Sequence, residues 1–418
     1  MGGHIDPGSG GTGRTGLRRS LGLVHVVLYG LGVTVGAGIY VLIAAAAARA
    51  GMHAPLAFVL AAIGIGLTGA TFAELGSRMP QAAGPVVYAH AAFRSEFVSR
   101  LVGLLVIAMT LVSAAAISAG AAGYVGVFVG WPRWLVITLI VLAMGAMAAR
   151  GIRESITFAG IMTLIEIGGL VLIVVLGFLN EPRVLSDAGA LLPRSLDVGV
   201  WSGIVAASLL AVFAFIGFEG IVNISEEMTD PSTTLPRAIL VTLVLTTVLY
   251  VAVMWVALAA LGVTRLATAD APLALVFEQL AGASPRTMAA IAIVAILNGI
   301  IVNIIMAARV IYGLARRGGL PEPLGRVDRR LGTPLNATAL ATAVVLGLAL
   351  WLRLDHIAEL SARATLVLFA LVNLALMLIK SRETAPPPDI YVAPRWVPAA
   401  GLACCLFFIA ADAVLSRA

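Results

Sequence analysis

Charge and cysteine are scarce in this sequence. Asp, Glu, Lys and Arg make up 11% of the 418 residues, whereas 61% are apolar. A water-soluble domain of this size needs far more polar surface, so the composition excludes an ordinary soluble protein and makes the lipid bilayer the expected solvent. The two cysteines, Cys404 and Cys405, are adjacent in an apolar run, which supplies neither a disulfide framework nor the spacing of a metal site. We expect no metal and no other cofactor.

Motifs that carry enzymatic or energy-coupling chemistry are also missing. No HExxH, no paired aspartates within an apolar run and no Ser–His or Ser–Lys set stand out, so an enzyme is not expected. No GxxxxGK phosphate-binding loop is present, and ATP is therefore not expected to drive this chain. The net charge of +6 is explained by basic loops that set membrane topology, so no nucleic acid is expected as a partner.

The sequence has instead a series of long apolar runs. In hydrocarbon every backbone N–H and C=O must be paired internally, and a helix needs about 20 residues to cross. The runs have that length, whereas barrel strands would alternate over about 10 residues. We predict an all-α integral membrane protein with about eleven transmembrane helices, near residues 21–48, 54–76, 97–123, 132–149, 155–178, 200–224, 237–261, 287–314, 335–352, 357–379 and 396–416.

The basic residues predict which way these helices run. With the N-terminus in the cytoplasm, two-thirds of the 27 Lys and Arg residues fall on the cytoplasmic side, in agreement with the positive-inside rule. Residues 1–19 are rich in Gly, Ser and Thr and are typical of a flexible cytoplasmic tail. We therefore predict a multi-pass protein of the cell membrane with a cytoplasmic N-terminus.

The middle of the first span is rich in glycine. The stretch GLGVTVGAGIY (30–40) holds four glycines and one threonine. Opening the helix near Gly36 and Gly38 would free N–H groups at the positive end of its second half, and such donors suit a carboxylate. Close helix packing through small residues is the alternative interpretation.

The sixth span contains FAFIGFEG (213–220), in which glycines flank Glu219. An ionisable residue inside a span is energetically expensive and suggests a function. Unwound carbonyls here would accept hydrogen bonds from an ammonium group, and Phe213, Phe215 and Phe218 would wall a side-chain pocket. Lipid or core contact is the alternative for any one of these phenylalanines.

The position of the two glycine-rich stretches matters more than either stretch alone. They fall in spans one and six, which are corresponding positions of two five-helix halves. Interrupted spans at corresponding positions indicate an inverted-repeat transporter with a site at mid-membrane. We predict a transporter core over 20–380, built from repeats at about 21–178 and 200–379, followed by a loop and an additional helix over 381–418.

Four motifs stand in order along the chain. They are VGAGIY (35–40), FAELGSRMPQAAGPVVYA (72–89), FAFIGFEG followed by EEMTDPSTTLPRAI (213–220 and 226–239), and AARVIYGLARRGGLPEPLGRV (307–327). Any one motif is weak, but four at the right spacing are specific. Together they resemble the amino acid–polyamine–organocation permease family, whose members commonly have twelve spans, whereas eleven are recognised here.

The resemblance implies a five-plus-five inverted-repeat fold with broken helices 1 and 6, alternating access, and secondary active transport of amino acids. It implies that the substrate carboxylate meets the break at Gly36 to Gly38, and that its amino group meets carbonyls near Phe213, Ala214 and Ile216. The residues expected to bind substrate are Thr34, Val35, Gly36, Ala37, Gly38, Phe213, Ala214, Phe215, Ile216 and Gly217.

Two carboxylates are candidates for coupling or gating, Glu166 and Glu219. In some proton-coupled family members a fifth-helix lysine occupies the place where sodium sits in related transporters, and Glu166 stands at the corresponding position here. A desolvated carboxylate suits a proton carrier. Structural hydrogen bonding of Glu166 and a sodium site remain alternatives.

Other functions on the same fold also remain open. A polyamine or other organocation antiporter and a non-transporting substrate sensor are the alternatives to amino acid symport or exchange. Glu74, where the second span leaves the membrane, is expected to be an interfacial or gate residue.

Overall fold

A computed structural model describes residues 21–80, 84–150, 156–193, 197–328, 330–385 and 387–415. The predicted N-terminal tail, residues 1–19, lies outside the described residues. The described chain is helical almost throughout, as expected where backbone groups have no water to bond. Its α-helices are α1 Leu23–Ala50, α2 Ala54–Arg78, α3 Gly84–Phe93, α4 Glu96–Gly126, α5 Arg133–Ala149, α6 Ile156–Asn180, α7 Arg183–Ser186, α8 Val198–Phe215, α9 Pro231–Ala267, α10 Pro272–Ala281, α11 Arg286–Arg316, α12 Leu335–Trp351, α13 Leu354–Ser381 and α14 Trp396–Leu415.

The prediction of an all-α membrane protein is confirmed. Eight helical stretches of the described residues are long and apolar enough to cross a membrane, and one of them joins the outer part of α1 to α2. The shorter apolar helices α5 and α12 have 17 residues each. Each predicted run falls on one helix, or on one interrupted pair. The short helices α3, α7 and α10 lie in the connections between spans.

The spans form two packed layers. In one layer α1 packs against α8 and α9, and α2 packs against the same two helices. In the other layer α4 packs against α11 and α12, while α5 packs against α12. Each layer therefore combines the same two helices of both predicted halves, which is the arrangement of a five-plus-five inverted repeat. The helix α13 packs against α4, and α14 packs outside it against α13 and α2.

Both predicted breaks are present. Within α1 the backbone leaves helical geometry at Gly36, where φ is −25° and ψ is −146°. The helix α8 ends at Phe215, and Ile216 is extended. Gly217 follows with φ of 127°, a conformation that side chains with a Cβ rarely adopt. The lower part of the sixth span then continues as the 3-10 helix Phe218–Glu227, a tighter form than the sequence pattern suggested.

The inner ends of the two broken helices are bonded to each other. On the predicted cytoplasmic face, the Leu21 N–H donates to the Glu227 carbonyl at 3.0 Å, and the Thr229 N–H donates to the Leu21 carbonyl at 3.1 Å. These bonds surround a parallel bridge between Leu21 and Met228. The chain entering α1 is thereby fixed to the chain leaving the sixth span.

Candidate functional site at the two helix breaks

The two breaks face each other in the interior. Gly38 lies so close to Ala214 that a Cβ on Gly38 would stand 2.8 Å from the Ala214 Cα. Gly217 packs on the Val33 carbonyl with no room for a Cβ. Because these approaches exclude larger residues, glycine at positions 38 and 217 lets the broken helices meet.

Space lies beside the break in α1. Apart from its chain neighbours and the backbone of its own helix, no heavy atom of the described residues lies within 4 Å of the point where a Cβ on Gly36 would be. Val35 is fully buried, and Thr34 is 2% exposed. The Thr34 hydroxyl is buried without a hydrogen-bond partner among the described residues. The side chain of Ala37 lies outside what the structure describes.

Tyr250 of α9 joins the two breaks. Its hydroxyl lies 2.9 Å from the Thr34 carbonyl and 3.0 Å from the Ala214 carbonyl, so one proton is shared between an acceptor on each broken helix. The ring is fully buried and packs on Phe215 with centroids 5.4 Å apart. Sequence reasoning missed this residue, although a hydroxyl in the apolar run TVLYVAV was a signal, since a buried phenol usually has a partner.

The carbonyls at the end of α8 differ in their hydrogen bonding. The Phe213 carbonyl accepts from the Ile216 N–H at 3.1 Å, and the Ala214 carbonyl accepts from Tyr250. No N–H or O–H of the described residues donates to the Ile216 carbonyl. Ile216 and Val33 are half-buried, whereas their neighbours Phe215 and Gly217 are buried. The Ile216 carbonyl is therefore an available acceptor at the break.

Glu219 bonds directly to the sixth-helix break. Its Oε2 accepts a hydrogen bond from the Gly217 N–H at 2.9 Å, and the residue is 8% exposed. The carboxylate therefore binds the N–H of the residue that immediately precedes the 3-10 helix Phe218–Glu227. An anion at this end is also favoured by the helix dipole.

Glu166 of α6 is fully buried beside the break in α1. Its Oε1 accepts from the Asn298 amide of α11 at 3.2 Å. Its carbonyl accepts from the Tyr40 hydroxyl at 2.7 Å, while Thr163, one turn earlier, fills the space against Gly32. Since Gly32 and Tyr40 bracket the break at Gly36, this stretch of α6 runs alongside it.

Phe218 does not wall the same site as Phe215. Its ring packs on Phe72 of α2 at 5.6 Å and on Phe369 of α13 at 5.4 Å between centroids. Because Phe218 follows the break, this aromatic contact lies on the predicted cytoplasmic side and closes the space between three helices. The expectation that Phe213, Phe215 and Phe218 line one pocket is therefore wrong for Phe218.

A charged group, here called the inner cluster, ties α2 to α13 on the predicted cytoplasmic side. Glu74 is fully buried near the end of α2, and its predicted role as an interfacial or gate residue stays a prediction. Arg78 Nη2 lies 2.6 Å from one oxygen of Glu74, and Lys380 Nζ lies 2.7 Å from the other. The Ala393 N–H also donates to Glu74 at 2.8 Å, and Glu383 pairs with Arg78 at 2.5 Å. The inner cluster consists of Glu74, Arg78, Lys380 and Glu383.

A second charged group, the outer cluster, lies near the opposite end of α13. Arg49, at the end of α1, pairs with Glu359 of α13. Arg363 pairs with Glu359 at 3.2 Å and with Asp412 of α14 at 2.5 Å. These four residues join the outer half of α1 to α13 and α14.

Comparison with known proteins identifies relatives over nearly the whole chain. The family model described as amino acid permease matches residues 21–416, a range that includes both breaks. An uncharacterized transporter of Mycobacterium tuberculosis is 31% identical over 400 residues, which cover 93% of this chain and 85% of that protein.

Two further relatives carry more specific names. A branched-chain amino acid permease of Bacillus subtilis is 27% identical over 428 residues, which cover 95% of this chain and 89% of the permease. Cationic amino acid transporter 4 of Homo sapiens is 26% identical over 409 residues, which cover 92% of this chain and 63% of the human protein.

Proposed function

Because the chain belongs to the amino acid permease family, we propose that it is a secondary active transporter that carries amino acids across the cell membrane by alternating access. The protein is a transporter and not an enzyme. Its N-terminus lies in the cytoplasm under this proposal, which agrees with the distribution of basic residues.

The observation that carries the proposal is the meeting of two interrupted helices at mid-span. Broken helices expose N–H and C=O groups that a membrane otherwise forces into internal bonds. An amino acid brings the matching charges, a carboxylate for the N–H groups and an ammonium for the carbonyls. Tyr250 supports the pairing of these ends, because its hydroxyl bonds to a carbonyl of each break.

The substrate carboxylate is assigned to the break in α1. The open space beside Gly36 leaves room for it, and N–H groups at the positive end of the outer half of α1 attract an anion. The ammonium is assigned to the carbonyls at the end of α8. The residues assigned to contact the substrate at the break in α1 also include Thr34, Val35, Ala37 and Gly38.

The aromatic and aliphatic surroundings favour a neutral side chain. Phe213 and Phe215 are buried beside the break, and they offer an apolar wall. The name of the Bacillus subtilis relative specifies branched-chain amino acids, whereas the human relative is named for cationic ones. The carboxylates Glu166 and Glu219 would favour the cationic class, so both classes belong in the test.

Uptake into proteoliposomes tests the function. A panel of labelled amino acids, including L-leucine and L-lysine, is offered with no gradient, with a proton gradient, with a sodium gradient, and with internal amino acid for exchange. We expect neutral amino acids to be taken up or exchanged. If no amino acid moves under any of these conditions, the proposed function is wrong.

We further propose that Glu166 carries the coupling proton. Its position supports this, because Glu166 is fully buried and its stretch of α6 runs alongside the break in α1. Glu166→Gln keeps an oxygen for the Asn298 amide but removes the titrating group. Proton-driven uptake should fall at least about 10-fold, as expected for a lost proton-transfer group, while substrate binding persists.

Asn298→Ala is the matched control for that variant. It removes the hydrogen bond between α6 and α11 but leaves the carboxyl group, so proton dependence should be retained. Unchanged pH dependence of uptake in Glu166→Gln would remove the coupling role. If uptake by the wild-type protein depends on a sodium gradient, sodium and not the proton is the coupling ion.

A further inference from the structure

The peptide group between Ile216 and Gly217 links a buried carboxylate to the predicted ammonium site. The Gly217 N–H points to Glu219 Oε2 at 2.9 Å. The carbonyl of the same peptide belongs to Ile216 and receives no hydrogen bond from the described residues. In a trans peptide the N–H and C=O point in opposite directions, so the carboxylate lies on one side and the open acceptor on the other.

We propose that Glu219 is a positioning residue that polarises the Ile216 carbonyl and thereby selects substrates with an α-ammonium group. This inference rests on the proposed function. A carboxylate that accepts from an amide N–H strengthens the negative charge on the oxygen of that amide, as in any chain of hydrogen bonds. The effect is larger when the acceptor at the end of the hydrogen-bond chain is ionised.

The surroundings of Glu219 strengthen this polarisation. The side chain is 8% exposed, so water screens its charge weakly when it is ionised, and the hydrogen bond from the Gly217 N–H favours that ionised form. None of the ion pairs among the described residues includes Glu219, unlike the buried Glu74 of the inner cluster. The negative charge of Glu219 is therefore directed to the Gly217 N–H rather than cancelled by a neighbouring cation.

The local backbone fixes the orientation of the peptide group between Ile216 and Gly217. Gly217 has φ of 127° and packs on the Val33 carbonyl, so the peptide plane has little freedom to rotate. The Gly220 N–H donates to the Gly217 carbonyl at 2.7 Å and holds the next peptide as well. Ile216 itself is half-buried, unlike Phe215 and Gly217 on either side of it.

The inference predicts discrimination between amino acids and their α-hydroxy analogues. Both keep the carboxylate and the side chain, but only the amino acid has an ammonium group to meet the polarised carbonyl. The probes are L-leucine and (S)-2-hydroxy-4-methylpentanoate, with L-lysine and its α-hydroxy analogue as a second pair. Affinities are measured on the purified full-length protein by calorimetry.

Glu219→Gln is the main variant, because its amide oxygen still accepts from the Gly217 N–H without the charge. We expect the amino acid to bind roughly 10-fold more weakly, since a charge-assisted bond becomes neutral, while the hydroxy acid changes little. The ratio of the two affinities therefore falls. Loss of local structure would weaken both ligands equally and leave the ratio unchanged, which would overturn the proposal.

Two further variants complete the test. Glu278→Gln removes an exposed carboxylate from α10 and should leave the ratio as in wild type. Glu219→Asp replaces Glu219→Gln if that protein does not fold; its shorter side chain withdraws the carboxylate from the Gly217 N–H, so the ratio should fall part of the way towards that expected for Glu219→Gln. An unchanged ratio there would also overturn the proposal. If wild-type protein binds neither L-leucine nor L-lysine, the pair is built on an amino acid that the uptake panel identifies; if the panel identifies none, the proposed function fails, and this inference fails with it.

Discussion

The inner and outer clusters have the same charge composition but different environments. Each contains two carboxylates and two cations, and each involves α13. In the inner cluster the side chains of Glu74, Arg78 and Lys380 are 0%, 7% and 9% exposed. In the outer cluster the cations Arg49 and Arg363 are 27% and 38% exposed, whereas the two carboxylates are 13% and 14% exposed. The clusters therefore differ in contact with water mainly through their cations.

This difference indicates separate roles. Removing one partner of a buried pair leaves an uncompensated charge, whereas an exposed pair is screened by water. The inner cluster joins α2 to α13 and to the segment before α14, so it behaves as a fixed joint. The outer cluster attaches the outer half of α1, which lies beyond the break at Gly36. The outer half of α1 thus has a backbone break at one end and, at the other, an ion pair that water can screen. Both features are those expected of a segment that moves during transport.

The largest expected effect comes from Glu74→Gln. The neutral amide leaves Arg78 paired with Glu383 alone and Lys380 buried without its carboxylate partner, so the free energy of unfolding should fall by about 3–5 kcal/mol. The measurement is thermal unfolding of the purified protein in detergent. Glu383→Gln is the matched control, because Glu383 is 30% exposed and its loss should lower the melting temperature less. Equal losses in the two variants would contradict the fixed-joint interpretation.

The apolar runs made most of the fold predictable from the sequence. The two breaks were also predictable, because glycines 36 and 217 act locally through the absence of a Cβ. Long-range pairing was not predictable. Lys380 pairs with Glu74, which lies 306 residues earlier in the sequence, and nothing near Asp412 in the sequence points to Arg363. Such contacts depend on how helices are oriented, which hydropathy does not specify.

The candidate site was predictable to a similar degree. The pattern FAFIGFEG located the second break, but it did not separate Phe215, beside Tyr250, from Phe218, which packs on α2 and α13. Residues three apart on an ideal helix share a face. The backbone conformation at Gly217 turns Phe218 away from the face that Phe215 occupies. The three-residue spacing of an ideal helix therefore does not apply across this break.

An intermediate effect is expected when the outer cluster is weakened. Glu359→Gln removes the partner of Arg49 and of Arg363, yet water screens the partly exposed charges, so unfolding should change by about 1 kcal/mol or less. Amide hydrogen exchange over the outer half of α1 should rise more clearly than the melting temperature falls. Asp412→Asn is the control, because it leaves the Arg49–Glu359 pair intact. If both variants raise exchange in α1 equally, the pair does not hold that segment.

The smallest expected effect is a change in the titration of Tyr391, which lies in the segment between α13 and α14. Burial raises the pKa of the Tyr391 phenol, and the charge of Glu74 raises it further. Since a nearby anion disfavours the phenolate, Glu74→Gln should lower the pKa of Tyr391, although burial keeps it above the ordinary value. The phenolate absorbance, corrected with Tyr391→Phe, measures the shift. Glu359→Gln, at the far end of α13, should leave this pKa unchanged. A pKa of Tyr391 that does not respond to Glu74→Gln would mean that Arg78 and Lys380 already cancel the carboxylate charge, so that the inner cluster acts on its surroundings as a neutral unit.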